Sequence, residues 1–286
     1  MTNSNKVAQF YDKFGARLLR DFVNGNPRTE NAILFACEKL IQFQRKNVLD
    51  LGFGLGWSTY EFSRAMPASK ILGVDLSSDL KELASAMFGN DSGVHYECED
   101  LCDSTWGEKL GSSYDACVML DVYEHIPNAQ RQGFHSALAS RLSNDAIVIL
   151  TCPTSLHQAY LRNEQPSGLQ PVDEDVSFKD LIILAGDLGG EIVHFEYKSV
   201  WSDNDYFHVV ISRQLLRKSP VTRVKEHHLM KKSERLSRLD FAQSFVGKEV
   251  IRMIKGEQSK LLHKIVHKIA RILGRQNISQ RKILTK

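Results

Sequence analysis

The chain has 286 residues, 42% of them hydrophobic and 25% charged, and a formal net charge of +3. That composition supplies a real core and fits one large α/β domain with an appendage, or two small domains. Its longest apolar stretches, such as 181–185, fall far short of the ~20 residues that span a bilayer.

The net charge conceals an asymmetry. Residues 213–286 carry 20 Lys/Arg and 5 Asp/Glu, a net of +15, leaving 17 basic and 29 acidic residues and a net of −12 in 1–212. An acidic body therefore bears a basic tail. Residues 1–9 are polar and lack the apolar segment of a signal peptide, so a cytoplasmic location is expected, with the inner membrane face as a peripheral possibility. Cys37, Cys98, Cys102, Cys117 and Cys152 are scattered without a CxxC pair; they are read as buried reduced thiols, with no disulfide framework and no metal site.

In chain order, residues 6–23 place Val7, Phe10, Tyr11, Phe14, Leu18, Leu19 and Phe22 at helical spacing, and Asn24-Gly25-Asn26-Pro27 stops that helix. Thr29 can cap a second helix with Ala32, Ile33, Phe35, Ala36 and Leu40 on its apolar side. This N-terminal helical unit, 1–46, either covers the sheet or supplies a lid through Tyr11 and Arg28.

From Asn47 strand and helix alternate. Strands are expected at 48–51, 71–75, 94–98, 115–120 and 146–151, with helices at 58–66, 80–88 and 131–142, which implies parallel pairing by right-handed crossovers. The stretch 152–176 holds Pro153, Pro166 and Pro171 and the acidic run Asp173-Glu174-Asp175, and is expected as a long functional or mobile loop. Ser177 can cap a helix to Leu188. Strands at 192–201 and 206–212 then form a hairpin, which makes the last strand antiparallel.

Beyond Ser212 the strands stop. In 256–274, Leu261, Leu262, Ile265, Val266, Ile269, Ile272 and Leu273 fall in one arc of a helical wheel, opposite Lys260, His263, Lys264, His267, Lys268 and Arg271. Such a helix suits an anionic membrane surface, or a protein contact that includes the acidic body itself. Few aromatics accompany the basic residues, so nucleic acid is the weaker partner.

The organising motif is Asp50-Leu51-Gly52-Phe53-Gly54-Leu55-Gly56-Trp57, a strand end, a glycine-rich turn and a helix start. Nucleotide-like ligands bind at such turns. A dinucleotide fingerprint needs a third glycine where this chain has Trp57. The pattern D-x-G-x-G-x-G resembles class I S-adenosylmethionine-dependent methyltransferases over residues 47–212. The resemblance implies a Rossmann-like α/β fold with a seven-stranded, mostly parallel sheet of order 3-2-1-4-5-7-6, strand 7 antiparallel, flanked by helices, with 213–286 as a basic helical appendage. It implies S-adenosyl-L-methionine as cofactor, with Asp50, Gly52, Gly54 and Gly56 at its amino-acid and ribose part. Asp75, with Leu76, is implied at the ribose hydroxyls, Asp100 and Leu101 at the adenine, and Asp121 and Val122 at the methionine end. Glu99 competes with Asp100, and Asp75 or Asp100 can instead cap a helix.

For chemistry, His125 in Glu124-His125-Ile126-Pro127 is the candidate general base, given an unperturbed pKa near ~6.5; a structural role in its loop is the competing reading. His157, Tyr11 and Asp173 follow it. No Asn-Pro-Pro-Tyr-type signature of amino methylation is present. Residues 168–175 resemble substrate-covering loops of methyltransferases acting on bacterial surface glycans and small hydroxylated molecules. The expected reaction is O-methylation of a sugar, lipid-linked glycan or other small hydroxylated molecule. The alternatives are an RNA or protein methyltransferase guided by the tail, and a non-catalytic binder.

Overall fold

The computed structural model describes residues 15–214, apart from positions 90, 92, 104, 109 and 112. Tyr11, the first half of the first expected helix, up to position 14, and the basic tail from 215 onward lie outside the described residues. Two helices, α1 (Gly15–Asn24) and α2 (Pro27–Gln42), precede the sheet. The side chain of Asn26, not Thr29, caps α2, accepting from the backbone N–H groups of Arg28 and Thr29. Pro27 sits at the first helical position, where its missing N–H costs nothing. Thr29 lies too far into the first turn to serve.

The strands are β1 (Asn47–Leu51), β2 (Lys70–Asp75), β3 (Val94–Cys98), β4 (Tyr114–Leu120), β5 (Leu142–Pro153), β6 (Glu191–Lys198) and β7 (Tyr206–Ser212). They form one sheet in the order β3-β2-β1-β4-β5-β7-β6, and β7 runs antiparallel to both neighbours. Helices α3 (Trp57–Ala65), α4 (Ser78–Phe88), α5 (Arg131–Arg141), α6 (Ser155–Glu164) and α7 (Phe178–Asp187) complete the fold.

The central strands are apolar on both faces because helices cover both. Val48, Ala116, Val118, Ile147 and Ile149 point into a core with Phe22, Ile33, Leu40, Phe62 and Met87. Their alternate neighbours Leu49, Leu51, Cys117, Met119, Val148 and Leu150 point into a second core with Phe134, Leu138, Leu181 and Leu184. A near-continuous hydrophobic run is the signature of a parallel strand buried on both sides. Each fully buried Leu or Ile contributes about 1.5–3 kcal/mol.

The structure corrects four expectations. The stretch 152–176 is not a loop throughout, since α6 occupies 155–164 behind the cap Thr154, whose side chain accepts from the His157 N–H. Strand β5 begins at Leu142, directly after α5. Strand β6 ends at Lys198, because the carboxylate of Asp205 captures the N–H groups of Val200, Trp201 and Ser202 and turns the chain. Of the thiols, Cys37, Cys117 and Cys152 are buried, but Cys102 is half-buried and Cys98 exposed, on the last residue of a strand near the sheet edge. Among the described residues no helix is long and apolar enough to cross a membrane.

Candidate functional site

The carboxyl ends of β1, β2, β3 and β4 open into a cavity of about 290 Å³. Ligands gather at this edge in open α/β sheets. Lining residues follow each strand in turn: Gly52 to Leu55, Asp75 and Leu76, Asp100 to Cys102, then Leu120 to Val122 and His125. Leu18 and Asp21 of α1, Arg28 and Thr29 of α2, and Gln170 and Val172 close the remaining sides.

The three glycines of the turn all adopt left-handed backbone, with φ of 70°, 58° and 86°, where a side chain is disfavoured. Their surroundings differ. A Cβ on Gly52 would lie 2.4 Å from Val122 Cγ2, and one on Gly56 would lie 2.8 Å from Tyr96 Oη and 3.0 Å from Ala84. A Cβ on Gly54 would meet only Leu18 Cδ1, at 3.4 Å, so this α-carbon faces open space. Gly56 does not line the cavity; it serves the packing of the turn against α4 and β3.

Asp50 does not line it either, contrary to the sequence expectation. It is 1% exposed, and its Oδ2 accepts hydrogen bonds from the hydroxyls of Ser58 and Thr59 at 2.7 Å each. The carboxylate thus ties the end of β1 to the first turn of α3 and shapes the glycine turn from behind. Burial pushes its pKa up to about 6, against the opposing pull of the two hydroxyls. Ser58 and Thr59 were the signal for this role: two hydroxyls on one turn can satisfy an enclosed acid.

Asp75 does face the cavity. Its Oδ2 accepts from the Gly54 N–H at 2.9 Å and its Oδ1 from the Ser77 N–H at 3.0 Å. These bonds fix the carboxylate beside the turn, and each oxygen can accept more than one donor. Leu76, Asp100 and Leu101 lie in the same wall, whereas Glu99 does not. Asp100 is oriented by the N–H of Cys102, at 2.9 Å from Oδ1.

The other end of the cavity is built on charge. Asp121 has a left-handed backbone, φ 57°, and its Oδ1 accepts from the Thr151 hydroxyl at 3.0 Å. Its Oδ2 pairs with Arg28 Nη1. Arg28 stands in the first turn of α2, where a cation opposes the helix dipole. Asp121 supplies the compensating charge and, with further acids nearby, raises the guanidinium pKa against burial.

His125 lines the cavity but is not an ordinary imidazole. Its Nδ1 lies 2.6 Å from the Val172 carbonyl oxygen and 3.3 Å from Asp173 Oδ1. Its Nε2 is buried without a hydrogen-bond partner, 3.9 Å from Glu124 Oε1. Burial alone would lower its pKa; Glu124, Asp173 and the Val172 carbonyl overcome that and raise it to about 9. These contacts favour the charged form of the ring, so the ordinary value near ~6.5 does not describe this imidazole. Further bonds strap the same loop down: Glu174 N–H to Glu124 O at 2.9 Å, and Asn128 Nδ2 to Glu174 Oε2 at 2.9 Å. Asp173 is absorbed in this strap, accepting from Gln158 Nε2 and the Gln170 N–H.

His157 does not line the cavity, but it lies within electrostatic reach of Asp205, Arg28, Asp121 and Asp173, and burial lowers its pKa. Asp21 and Gln130 line the site without having been marked by the sequence. Among the described residues no group of three His, Cys, Asp or Glu side chains is arranged to hold a metal ion.

A family model described as Methyltransferase domain matches residues 48–145. Among solved structures, the chain is similar to magnesium protoporphyrin IX methyltransferase (ChlM) from Synechocystis PCC 6803 with bound SAH. The identity is 20% over 74% of this chain and 100% of that one, with a TM-score of 0.55. It is also similar to the N-methyltransferase NodS from Bradyrhizobium japonicum WM9, at 13% identity over 66% and 98% of the two chains and a TM-score of 0.51. An O-methyltransferase family protein from Burkholderia thailandensis matches at 15% identity over 68% of this chain and 59% of that one, with a TM-score of 0.53. At these identities the likeness establishes the fold. No curated protein matches by sequence.

Proposed function

We propose that this chain, whose residues 48–145 match a methyltransferase domain, acts as a class I, Rossmann-like S-adenosylmethionine-dependent methyltransferase and methylates a hydroxyl of a sugar, a lipid-linked glycan or another small hydroxylated molecule. The observation that supports this acceptor is the wall opposite the glycine turn. Its two cations are already engaged, Arg28 by Asp121 and His125 by Asp173, and Asp21 adds a further carboxylate. A phosphodiester backbone would find its usual cationic partners occupied there.

The residues present fit the cofactor. The open side of Gly54 leaves room where any other residue would place a side chain. The fixed carboxylate of Asp75 can accept from ribose hydroxyls, and charge-assisted bonds of that kind orient a ligand strongly. Leu76, Asp100 and Leu101 would hold the base, and Gly52, Asp121 and Val122 the amino-acid end. When bound, the cofactor supplies a methyl group already activated on a sulfonium.

The protein's own work is then alignment and exclusion of water, which can supply much of the rate. Arg28 and Asp121 fix each other and so fix the acceptor wall. His125 holds Val172 over the cavity. Asp21 and Asp121 are the carboxylates that line this wall within reach of an acceptor hydroxyl and can take its proton. The basic tail we assign to an anionic membrane surface.

The test incubates full-length protein with labelled methyl donor and cell fractions. Label in a glycan, a lipid-linked sugar or a small alcohol supports the proposal. Label confined to RNA or protein overturns it in favour of the tail-guided alternative.

A further inference from the structure

At the acceptor side of the sheet four rings follow one another from surface to surface. Tyr160 stacks on His157 at 6.2 Å between centroids and 28° between planes. His157 meets Tyr206 at 5.3 Å and 44°, and Tyr206 meets Trp201 edge-on at 6.0 Å and 73°. The two ends are open to solvent, with Tyr160 51% and Trp201 55% exposed. The helix that carries His157 and Tyr160 reaches the cavity wall through Asp173, which accepts from Gln158 Nε2 of that helix and from the N–H of Gln170, a lining residue.

Hydrogen bonds tie the two elements of this surface together. Thr154 begins α6, which carries His157 and Tyr160, and its N–H donates to the Asp205 carbonyl at 2.9 Å while its hydroxyl donates to the Asn204 carbonyl at 2.8 Å. Asp205, 2% exposed, in turn accepts from the Trp201 N–H at 2.9 Å. One buried carboxylate and one threonine therefore lock the helix to the hairpin that carries Trp201 and Tyr206. Holding large rings in water on fixed backbone gains nothing for the core; a binding role accounts for it.

We propose that the exposed rings of Tyr160 and Trp201, backed by His157 and the buried Tyr206, form an acceptor subsite beside the cavity, and that it takes an uncharged or amino-sugar oligosaccharide. This rests on the hydroxylated acceptor proposed above. Tyr160 and Trp201 stand at opposite ends of the run, so no single flat ring covers both, whereas a jointed chain of sugar rings can present one apolar C–H face to each. The charges around the run select further. Arg162, on the helix that carries Tyr160, is engaged by Asp175 at 2.9 Å, and Asp203 stands in the turn after Trp201. That surround repels uronic acids, phosphorylated sugars and nucleic acid, and accepts neutral or cationic sugars.

Trp201 allows a direct readout, since the other two tryptophans, Trp57 and Trp106, are 4% and 2% exposed. The full-length protein, saturated with S-adenosylhomocysteine, is applied to an array of neutral, amino and anionic glycans. The best-bound glycan is then titrated while acrylamide quenching of tryptophan is followed. We expect binding to neutral or amino glycans, protection of Trp201 from acrylamide, and at least a tenfold weakening in Trp201→Ala/Tyr160→Ala. Trp201→Phe should retain most of the affinity. Cofactor affinity by calorimetry should be the same in all forms. No glycan bound, preference for anionic glycans, or equal binding by the double variant overturns the subsite. If methyl is meanwhile transferred to a non-sugar alcohol, the hydroxyl-methylation reading stands while the subsite falls. If no form binds the cofactor, the parent reading itself fails.

Discussion

The Nδ1–H of His125 donates to the carbonyl oxygen of Val172 at 2.6 Å, joining positions 47 apart in sequence. That single bond places one cavity wall, Val172, relative to another, the segment after β4. His125→Ala should therefore act mainly on the acceptor. We expect its KM to rise about tenfold or more, by analogy with losing one charge-assisted bond, with cofactor affinity changed less than twofold. An unchanged KM with a collapsed kcat would instead restore His125 as a base.

The same residue gives a pH signature. Its folded pKa of about 9 stands above the unfolded ~6.5. The stabilisation is thus fully present below about pH 6.5 and is lost as pH rises through 9. Thermal melting of wild type and His125→Gln should differ at pH 6 and converge towards pH 10. A constant difference across that range would show that the charge on the ring does not stabilise the strap.

Asp50 has the opposite chemistry and the same sign. Burial raises its folded pKa to about 6, above the unfolded ~3.9. The protonated form is the one the fold favours, so this contribution is present below about pH 4 and lost as pH rises through 6. Asp50→Asn carries no such charge and keeps an acceptor for one hydroxyl. Relative to wild type it should gain stability between pH 4 and pH 7, read by chemical denaturation at fixed temperature. A loss that grows with pH would mean the carboxylate is needed in its charged form.

Much of the scaffold was legible in the residues, and what was missed has physical causes. The central strands announce themselves because both faces are covered, so Val, Ile and Leu run without alternation. The cap Ser177 announces α7 and closes a full capping box with Asp180. Helix α6 was hidden by the prolines around it, although Thr154 is the kind of residue that begins a helix. The end of β6 was hidden because Asp205 acts from beyond the turn. Asp50 was placed against the ligand because an acid beside a glycine turn suggests a ligand; its burial depends on Ser58 and Thr59, which only folding brings under it.

The glycine turn separates binding from folding. Gly52→Ala and Gly56→Ala place a methyl into Val122 and into Tyr96 with Ala84, on left-handed backbone. Each should cost about 2–4 kcal/mol, combining strain of ~1–2 kcal/mol with overpacking of ~1–3 kcal/mol. Gly54→Ala incurs the backbone strain alone, and its methyl enters the cavity. It should melt closest to wild type yet lose cofactor affinity most, by calorimetry. Equal affinity in Gly54→Ala would remove the turn from the cofactor site.

Asp75→Asn tests the opposite wall. The amide keeps one acceptor for two backbone donors, so stability should fall by about 1–3 kcal/mol, and S-adenosylmethionine affinity by about tenfold to a hundredfold. Calorimetry reads the second effect with the variant still folded. Undiminished affinity would exclude Asp75 as a ribose ligand.

The reversed direction of β7 decides where the chain leaves the molecule. Because Tyr206 starts beside Pro153 and Ser212 ends beside Ile147, this strand carries the chain from the cavity edge to the far edge, about 20 Å away at the usual rise per residue. The 72 residues that follow Gln214 therefore depart from the rear of the enzyme. Where the described chain ends, at Gln214, it is a full strand length from the cavity it helps to build.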